Sequence, residues 1–346
     1  MIASLRLRER VSASEEARLA KGATRSADAR RARAEEPDSV RLAFALDRDR
    51  IVHCKAFRRL KHKTQVFLAP IGDHYRTRLT HTLEVNQIAR TIARALDLNE
   101  DLAEAMALGH DMGHTPFGHI GEEVLGEFLP EGFRHNEQSV RIAEKLERGG
   151  AGLNLAEQTK DGMLKHSAAR EGVDAATWGV PLTLEGKAVR FADKIAYMNH
   201  DVDDAMRAGL VAEEDVPSDM RDALGRSQSE RLDTMVYDVI VSSYGKDDVL
   251  MSPEVLDATN AFRDFMFNNV YLAGPAKTED AKAMDVLRAL LEHFETRPEQ
   301  MPGEYARIVA EEGTKRAVAD YVAGMTDRYA LDMYTSLFIP RSWHLA

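Results

Sequence analysis

What the chain has little of narrows its class before any motif is read. Its 346 residues include one cysteine, Cys54, so there is no internal disulfide framework and a reducing compartment is the natural setting. Cys54 stands in no Cys-x-x-Cys or nucleophile pattern, and packing is its expected role. No stretch approaches about 18 uninterrupted apolar residues, and the arginine-bearing N-terminus has no apolar run ahead of a cleavage site. The expectation is a cytoplasmic protein with no membrane span. Positive charge is scarce too. A formal charge of −11 and a pI near 5.6 argue against a surface given over to nucleic acid, while leaving room for a local basic pocket. There is no Gly-x-x-x-x-Gly-Lys-Ser/Thr loop, no Gly-x-Gly-x-x-Gly and no Gly-x-Ser-x-Gly elbow, which excludes the P-loop, Rossmann and serine-elbow designs. No segment alternates with period two for long, and no internal repeat is present.

What is there reads as helix. Hydrophobic residues at 44% and charged residues at 30% are ordinary for a folded chain of this length. Leu83 to Leu98 places Leu83, Ile88, Ile92 and Leu96 near helical spacing, with His81 at or just before the start. Asn99, then Glu100 and Asp101, reads as the cap and acidic first turn of a helix that delivers His110 and Asp111 at its far end. His135 opens another helix, running to a stop at Gly149–Gly150. A long one covers about Glu185 to Ala208, and further periodicity spans Leu232–Tyr244, Val255–Val270, Ala281–Phe294, Tyr305–Tyr321 and the residues after Thr326. Val236–Val241 is a strand alternative that its neighbours outvote. The fold class is therefore all-α. Residues 1–36 are basic and poor in large apolar side chains, and are expected as an arm that is mobile or orders only at a subunit contact. Ser12 and Glu15 suggest a capping box within it. Residues 37–346 are expected as one domain.

The densest chemistry lies in His110–Glu122, which holds three histidines and two carboxylates in thirteen residues. Adjacent His110 and Asp111 point about 100° apart on a helix, so both reach one metal over the seam between them. Three glycines and Pro116 then release the chain into an irregular turn, where His114, His119 and Glu122 can project toward the same place. The missing ligands are His81 from upstream and, downstream, Asp193. Asp193, Tyr197, His200 and Asp204 fall within roughly 40° on one helix face, with Asp201 about 80° away. Two imidazoles and two carboxylates suit one octahedral Mn, Fe, Co, Ni or Mg ion per site with open positions, rather than a closed structural zinc. A histidine such as His119, with Glu122 three residues on, can move a proton near neutral pH. Arg78 and Lys194 are placed to meet phosphate oxygens.

The order His81, His110-Asp111, Asp193 resembles the H…HD…D pattern of the HD phosphohydrolase superfamily. The runs at 57–66, 78–85, 110–122, 135–139 and 193–205 are similar to those of bacterial dGTPase-type deoxynucleoside triphosphate triphosphohydrolases. The resemblance implies a helical bundle with an HD core at about 75–210 and additional N- and C-terminal helices. It implies that His81, His110, Asp111 and Asp193 bind the metal, and that His119, supported by Glu122, is catalytic beside the α-phosphate and the 5′ oxygen. Arg78, His114 and Lys194 would contact phosphates, with His135 close by. Tyr197 would pack under the deoxyribose, and Asp201 and Gln65 would approach its 3′ side. Arg263 and Tyr271 align with a phosphate-binding arginine and a pocket tyrosine. The implied reaction is water attack on the α-phosphorus, giving deoxynucleoside and tripolyphosphate, in a homo-oligomer, often a hexamer. The competing readings are another HD phosphohydrolase, acting on nucleotide monophosphates or alarmones, and a binding protein responsive to dNTPs or single-stranded DNA. In the latter, the cations of Arg6–Arg33 and Arg58–Lys63 would meet nucleic acid. No motif names the preferred base.

Overall fold

A computed structural model describes residues 2–65, 76–167, 179–271 and 276–340, excluding the side chains of residues 2–5, 270, 271 and 276–278. The described residues are helical throughout, and their only β-type pairing is the isolated bridge Thr64–Thr77. The helices are α1 Ile2–Arg18, α2 Ala43–Val52, α3 Lys55–Arg59, α4 Arg78–Ala95 and α5 Glu100–Gly109. Then come α6 His119–Phe128, α7 His135–Arg141, α8 Glu157–Lys165 and the long α9 Leu184–Arg207. The remainder are α10 Ser218–Leu224, α11 Gln228–Ser243, α12 Pro253–Met266, α13 Ala276–Thr296, α14 Ala306–Glu312, α15 Thr314–Ala323 and α16 Asp327–Phe338. No helix among the described residues is long and apolar enough to cross a membrane.

Two apolar cores position the site. In the first, Val85, Ile88, Ala89 and Ile92 of α4 meet Leu102 and Met106 of α5, Val189, Ala192 and Ile195 of α9, and Phe262 of α12. In the second, Val124 and Leu125 of α6 meet Leu287, Leu290 and Phe294 of α13, Val318 and Val322 of α15, and Ala330 of α16. A third, smaller cluster around Ile51, Leu60, Met112 and Met163 includes Cys54. The buried Cys54 thiol is pushed up to about 12, first by burial, as suits a packing residue.

Several elements differ in detail from the sequence reading. Helix α4 starts at Arg78, and Leu83 is 50% exposed. Five residues separate Leu83 from Ile88, which is about 140° around a helix, so the two cannot share a face. Tyr305–Tyr321 is two helices, because Gly313 at φ 90° breaks the run. Helix α7 passes into a π turn at Ile142–Leu146. Val236–Val241 lies inside α11, whose Ser227–Glu230 capping box is complete. Ser12 is inside α1 rather than at its cap, and the Glu15 carboxylate accepts instead from Ser26 N–H at 2.8 Å and its hydroxyl at 2.7 Å.

Residues 19–36, expected as part of an arm, are tied to the body in this structure. Thr24 donates from its N–H and hydroxyl to buried Glu185 at 2.9 and 2.8 Å. Arg31 pairs with buried Asp47 at 2.5 Å, and Asn154 donates to the Arg33 carbonyl. The Asp47 pair also takes up Arg31, one of the cations that a nucleic-acid stripe would present. Lys63 is likewise buried, and burial pulls its ammonium down to about 7.

Candidate metal and catalytic site

Three capped helices deliver the first group of side chains. The Thr77 hydroxyl accepts from Thr80 N–H at the start of α4, so His81 sits in that helix's first turns rather than ahead of it. Asn99 caps α5 by accepting from Leu102 N–H, and its own N–H donates to Glu185 on α9 at 3.0 Å, which locks these two helices in register. Gly109 ends α5 against α8, where an added Cβ would lie 2.8 Å from Met163 Sδ. His110 and Asp111 therefore emerge beneath Asp193 of α9.

The four groups converge. His81 Nε2 lies 3.2 Å from Asp193 Oδ1 and 3.9 Å from Asp111 Oδ2; His110 Nε2 lies 3.3 Å from Asp111 Oδ1 and 3.7 Å from Asp193 Oδ1. His110 Nδ1 donates to the Ala107 carbonyl at 2.6 Å. That fixes the tautomer and leaves Nε2 as a buried lone pair with no hydrogen-bond partner among the described residues. Burial alone would raise both aspartates, but the surrounding histidines, with Arg78 beside Asp111, outweigh it and hold both below the usual carboxylate range. Two ionised carboxylates facing a tautomer-locked imidazole fit a divalent cation, and the Ala107 carbonyl is the kind of outer partner that orients a metal-bound histidine. His81, His110 and Asp111 offer ligand atoms within 4.8 Å of one another, and so do Asp111, His114 and His135.

A row of imidazoles leads away from this centre. His114 stacks on His135 with centroids 4.0 Å apart and meets His119 edge-on at 5.8 Å. Glu122 joins the row, accepting from His135 N–H at 2.9 Å and from its Nδ1 at 3.1 Å, with His119 Nδ1 at 3.4 Å. Glu122 therefore serves His135 at least as closely as it serves His119. The His119 ring is 62% exposed, against 3% for His114, so it is the member of the row open to an incoming molecule.

The remaining predicted residues divide. Arg78 donates from Nη1 to Asp111 Oδ2 at 2.6 Å, and His114 Nε2 lies 3.2 Å from Asp111 Oδ1, so both face the Asp111 carboxylate. Gln65 is buried, and its side-chain oxygen has no partner among the described residues. Lys194 is buried. Burial lowers its pKa, Asp193 opposes, and Arg190 with Arg263 adds to the lowering, which brings Lys194 and Arg263 together in one cationic patch. Arg263 also holds Asp264 at 2.7 Å. Tyr197 is half-buried on α9 and Asp201 fully buried there. The Tyr271 side chain lies outside the described residues.

One histidine, His166, was missed by the sequence reading, and His200 was placed on the α9 face without a role. His166, at the end of α8, lies 3.3 Å from His135 through their Nε2 atoms and edge-on to His110 at 4.7 Å. Its Nδ1 donates to the Met163 carbonyl, so its Nε2 accepts from His135. Burial, reinforced by His110, pulls His166 down to about 3. His135 is raised despite burial by Glu122, which makes it the charged partner. His200 sits 6.2 Å from His81 and 2.8 Å from Glu84. His166 stands outside every dense motif, and only tertiary packing reveals it. Arg190, one turn before Lys194, could have been found on the same α9 face.

The Glu122–His135 pair carries a stability signature. Glu122 is held below its ordinary 4.5: burial raises it, and the His135 charge with both histidine bonds overrides that. Its contribution is present above pH 4.5 and is lost as acid protonates it. His135 is raised above 6.5, so its contribution is full below that value and fades as pH rises through the elevated pKa. Glu122→Gln is expected to cost about 3–5 kcal/mol between those limits. Urea unfolding across pH should show the gap from the native chain narrowing on both sides.

Buried imidazoles and carboxylates opening toward an exposed histidine, on this all-α frame, are the marks of an HD-type phosphohydrolase. Residues 78–198 match the HD domain family, and residues 249–336 match the phosphohydrolase-associated domain. A deoxyguanosinetriphosphate triphosphohydrolase-like protein of Caldanaerobacter subterraneus subsp. tengcongensis is 56% identical over 313 residues, covering 90% of each chain. Proteins of the same description from Clostridium perfringens strain 13 and Clostridium tetani are 52% identical (90% of this chain, 91% of the other) and 46% identical (98% of each). The chain belongs to this dGTPase-like family of HD-domain phosphohydrolases.

Proposed function

We propose that the protein hydrolyses deoxynucleoside triphosphates, dGTP among them, to deoxynucleoside and tripolyphosphate. The observation that carries this reading is the continuity of the buried His81, His110, Asp111 and Asp193 cluster with the His114–His135–Glu122–His119 row. A phosphoryl group laid across that boundary has charge stabilisation on one side and a proton donor on the other. His81, His110, Asp111 and Asp193 would hold one divalent ion, with Mn, Fe, Co, Ni and Mg all suited to the donor set. When bound, such an ion neutralises phosphoryl charge and acidifies water.

The chain's own residues do the rest. Lys194 and Arg263, with Arg190 behind them, draw the phosphate tail along α9. Tyr197 lies one turn further on, where a deoxyribose would rest and a 2′-hydroxyl would crowd it. Asp201 and Gln65 supply acceptors for the 3′-hydroxyl, and Tyr271 is the pocket tyrosine that the family resemblance implies. Arg78 and His114 orient the α-phosphate from the Asp111 side. His119 donates the proton to the departing 5′ oxygen, a poor leaving group as an alkoxide, and Glu122 aligns its ring. Positioning and charge neutralisation then account for most of the rate. The chain acts in the cytoplasm, organised as an HD core at about 75–210 within a single unit over 37–346. It assembles as a homo-oligomer, with a hexamer favoured, and the exposed α11 stripe of Tyr237 and Val241 is available for burial there. Single-stranded DNA would act at the exposed Arg58 and Lys61.

The direct test incubates the chain with Mn²⁺ and each of the four dNTPs, singly and mixed. Tripolyphosphate release is expected with deoxynucleoside in equal amount. Release of orthophosphate or pyrophosphate instead would point to a different HD reaction, and a mixture faster than its parts would reveal activation by nucleotide.

A further inference from the structure

The turn between the metal-side and proton-side residues has a strained backbone. Phe117 has φ 61° and Gly118, which caps α6 just before His119, has φ 60°. Left-handed geometry at a phenylalanine costs about 1–2 kcal/mol and persists only where the surroundings over-determine it. Part of that support is local. Gly113 N–H donates to Ser139 Oγ at 2.8 Å, and Thr115 Oγ1 donates to the Gly118 carbonyl at 2.7 Å.

The rest comes from far along the chain. Phe117 N–H donates to Asp327 Oδ1 at 2.9 Å, across 210 residues. The other oxygen of Asp327 accepts from Thr64 N–H at 2.8 Å and from the Thr64 hydroxyl. Lys63 Nζ donates to the His114 carbonyl and, at 2.9 Å, to the Ala323 carbonyl at the end of α15. Asp327 and Lys63 are both buried. Thr64 bridges Thr77, the cap of α4, and Arg78 Nε donates to the Thr64 carbonyl at 3.3 Å. One carboxylate from the first turn of α16 therefore ties together two walls of the site. One wall carries Gln65 and Arg78; the other is the turn that launches His119.

We propose that Asp327 and Lys63 are positioning residues, which hold the Gly113–Gly118 turn, with its positive φ at Phe117 and Gly118, so that His114 and His119 face the reacting phosphate. The proposal rests on the catalytic reading of His119 given above. Both act through main chain, Lys63 at the His114 carbonyl and Asp327 at Phe117 N–H. Each binds backbone of the turn, and an amide at Asp327 would set a donor against either Phe117 N–H or the Thr64 donors.

The test uses the full chain with Asp327→Asn and Lys63→Met, and with Thr326→Ala as a control. Thr326 caps α16, so its loss weakens that helix without touching the turn. In both positioning variants kcat is expected to fall about 10- to 100-fold, with KM and Mn²⁺ affinity unchanged. Backbone amides of 113–119 should exchange hydrogen faster while those of α4 and α9 stay protected. Thr326→Ala should keep native kcat. Folded variants with native kcat and native exchange in the turn would overturn the proposal. So would an equal loss of kcat in Thr326→Ala, which would make the effect one of α16 stability. If Asp327→Asn does not fold, Lys63→Met decides. If the native chain releases no tripolyphosphate, the functional reading fails, and hydrogen exchange alone still decides whether the two side chains hold the turn.

Discussion

Asp193→Asn is expected to remove the bound divalent ion and, with it, all measurable turnover. The substitution is isosteric and leaves α9 intact, yet it takes one of the two carboxylates, and so its negative charge, from a cluster whose other members, His81 and His110, are imidazoles. His81 Nε2 and His110 Nε2 lie 3.2 and 3.7 Å from the Asp193 oxygen, so the change falls at the centre of the donor set. Losses of 10–100-fold in metal affinity follow even when an outer partner is removed, so loss of a direct charged ligand should exceed about 100-fold. Metal content after desalting should drop from one ion per chain to a trace. Because a ligand at 100 times its Kd adds about 2.7 kcal/mol, Mn²⁺ should raise the native Tm by about 3–5 °C and leave the variant unmoved. Native metal content in Asp193→Asn would remove Asp193 from the ligand set.

His119→Ala is expected to separate chemistry from binding. With its ring 62% exposed and its hydrogen bond limited to Glu122, His119 contributes little to the fold, and truncation should change stability by no more than about 0.5 kcal/mol. Removing a general acid should lower kcat by about 10²–10⁴-fold. Metal content and dNTP affinity should remain native, since all four proposed metal ligands lie on other elements. The contrast with Asp193→Asn is diagnostic: one variant loses the ion and the other keeps it, and both lose turnover. Near-native kcat in His119→Ala would shift the proton-donor role to another member of the imidazole row, with His135 next in line through Glu122.

The motif-bearing residues were legible because their chemistry is local. His110 and Asp111 are neighbours, His119 and Glu122 are about a helical turn apart, and Asp193 and Lys194 are neighbours on one helix, so spacing alone groups each pair. The residues missed have no such signal. His166 enters the site because Gly109 and Met163 let α8 pack closely on α5, a fact of surface fit that no local pattern encodes. The misjudged elements have a similar origin. Leu83 was assigned to the apolar face by approximate spacing, but it stands about 140° from Ile88 around α4 and points to solvent. Residues 19–36 have one large apolar side chain, Leu19, and beside its burial in the first core hydrogen bonds to Glu185, Asp47 and Asn154 seat them.

The sequence by itself determined that the chain is helical and that it lacks disulfides and nucleotide-loop motifs, and it singled out His81, His110, Asp111 and Asp193 as candidate ligands with His119 and Glu122 beside them. Periodicity and the donor properties of side chains act over a few residues, and they survive in any reading of the chain. The tertiary structure alone decided that the metal side of the site is built on one core and the proton side on another. It also decided that Asp327 and Lys63, remote in sequence, hold the turn between them. Such placement depends on which buried donors find acceptors once the two cores have packed, and that is settled only when the whole chain has folded.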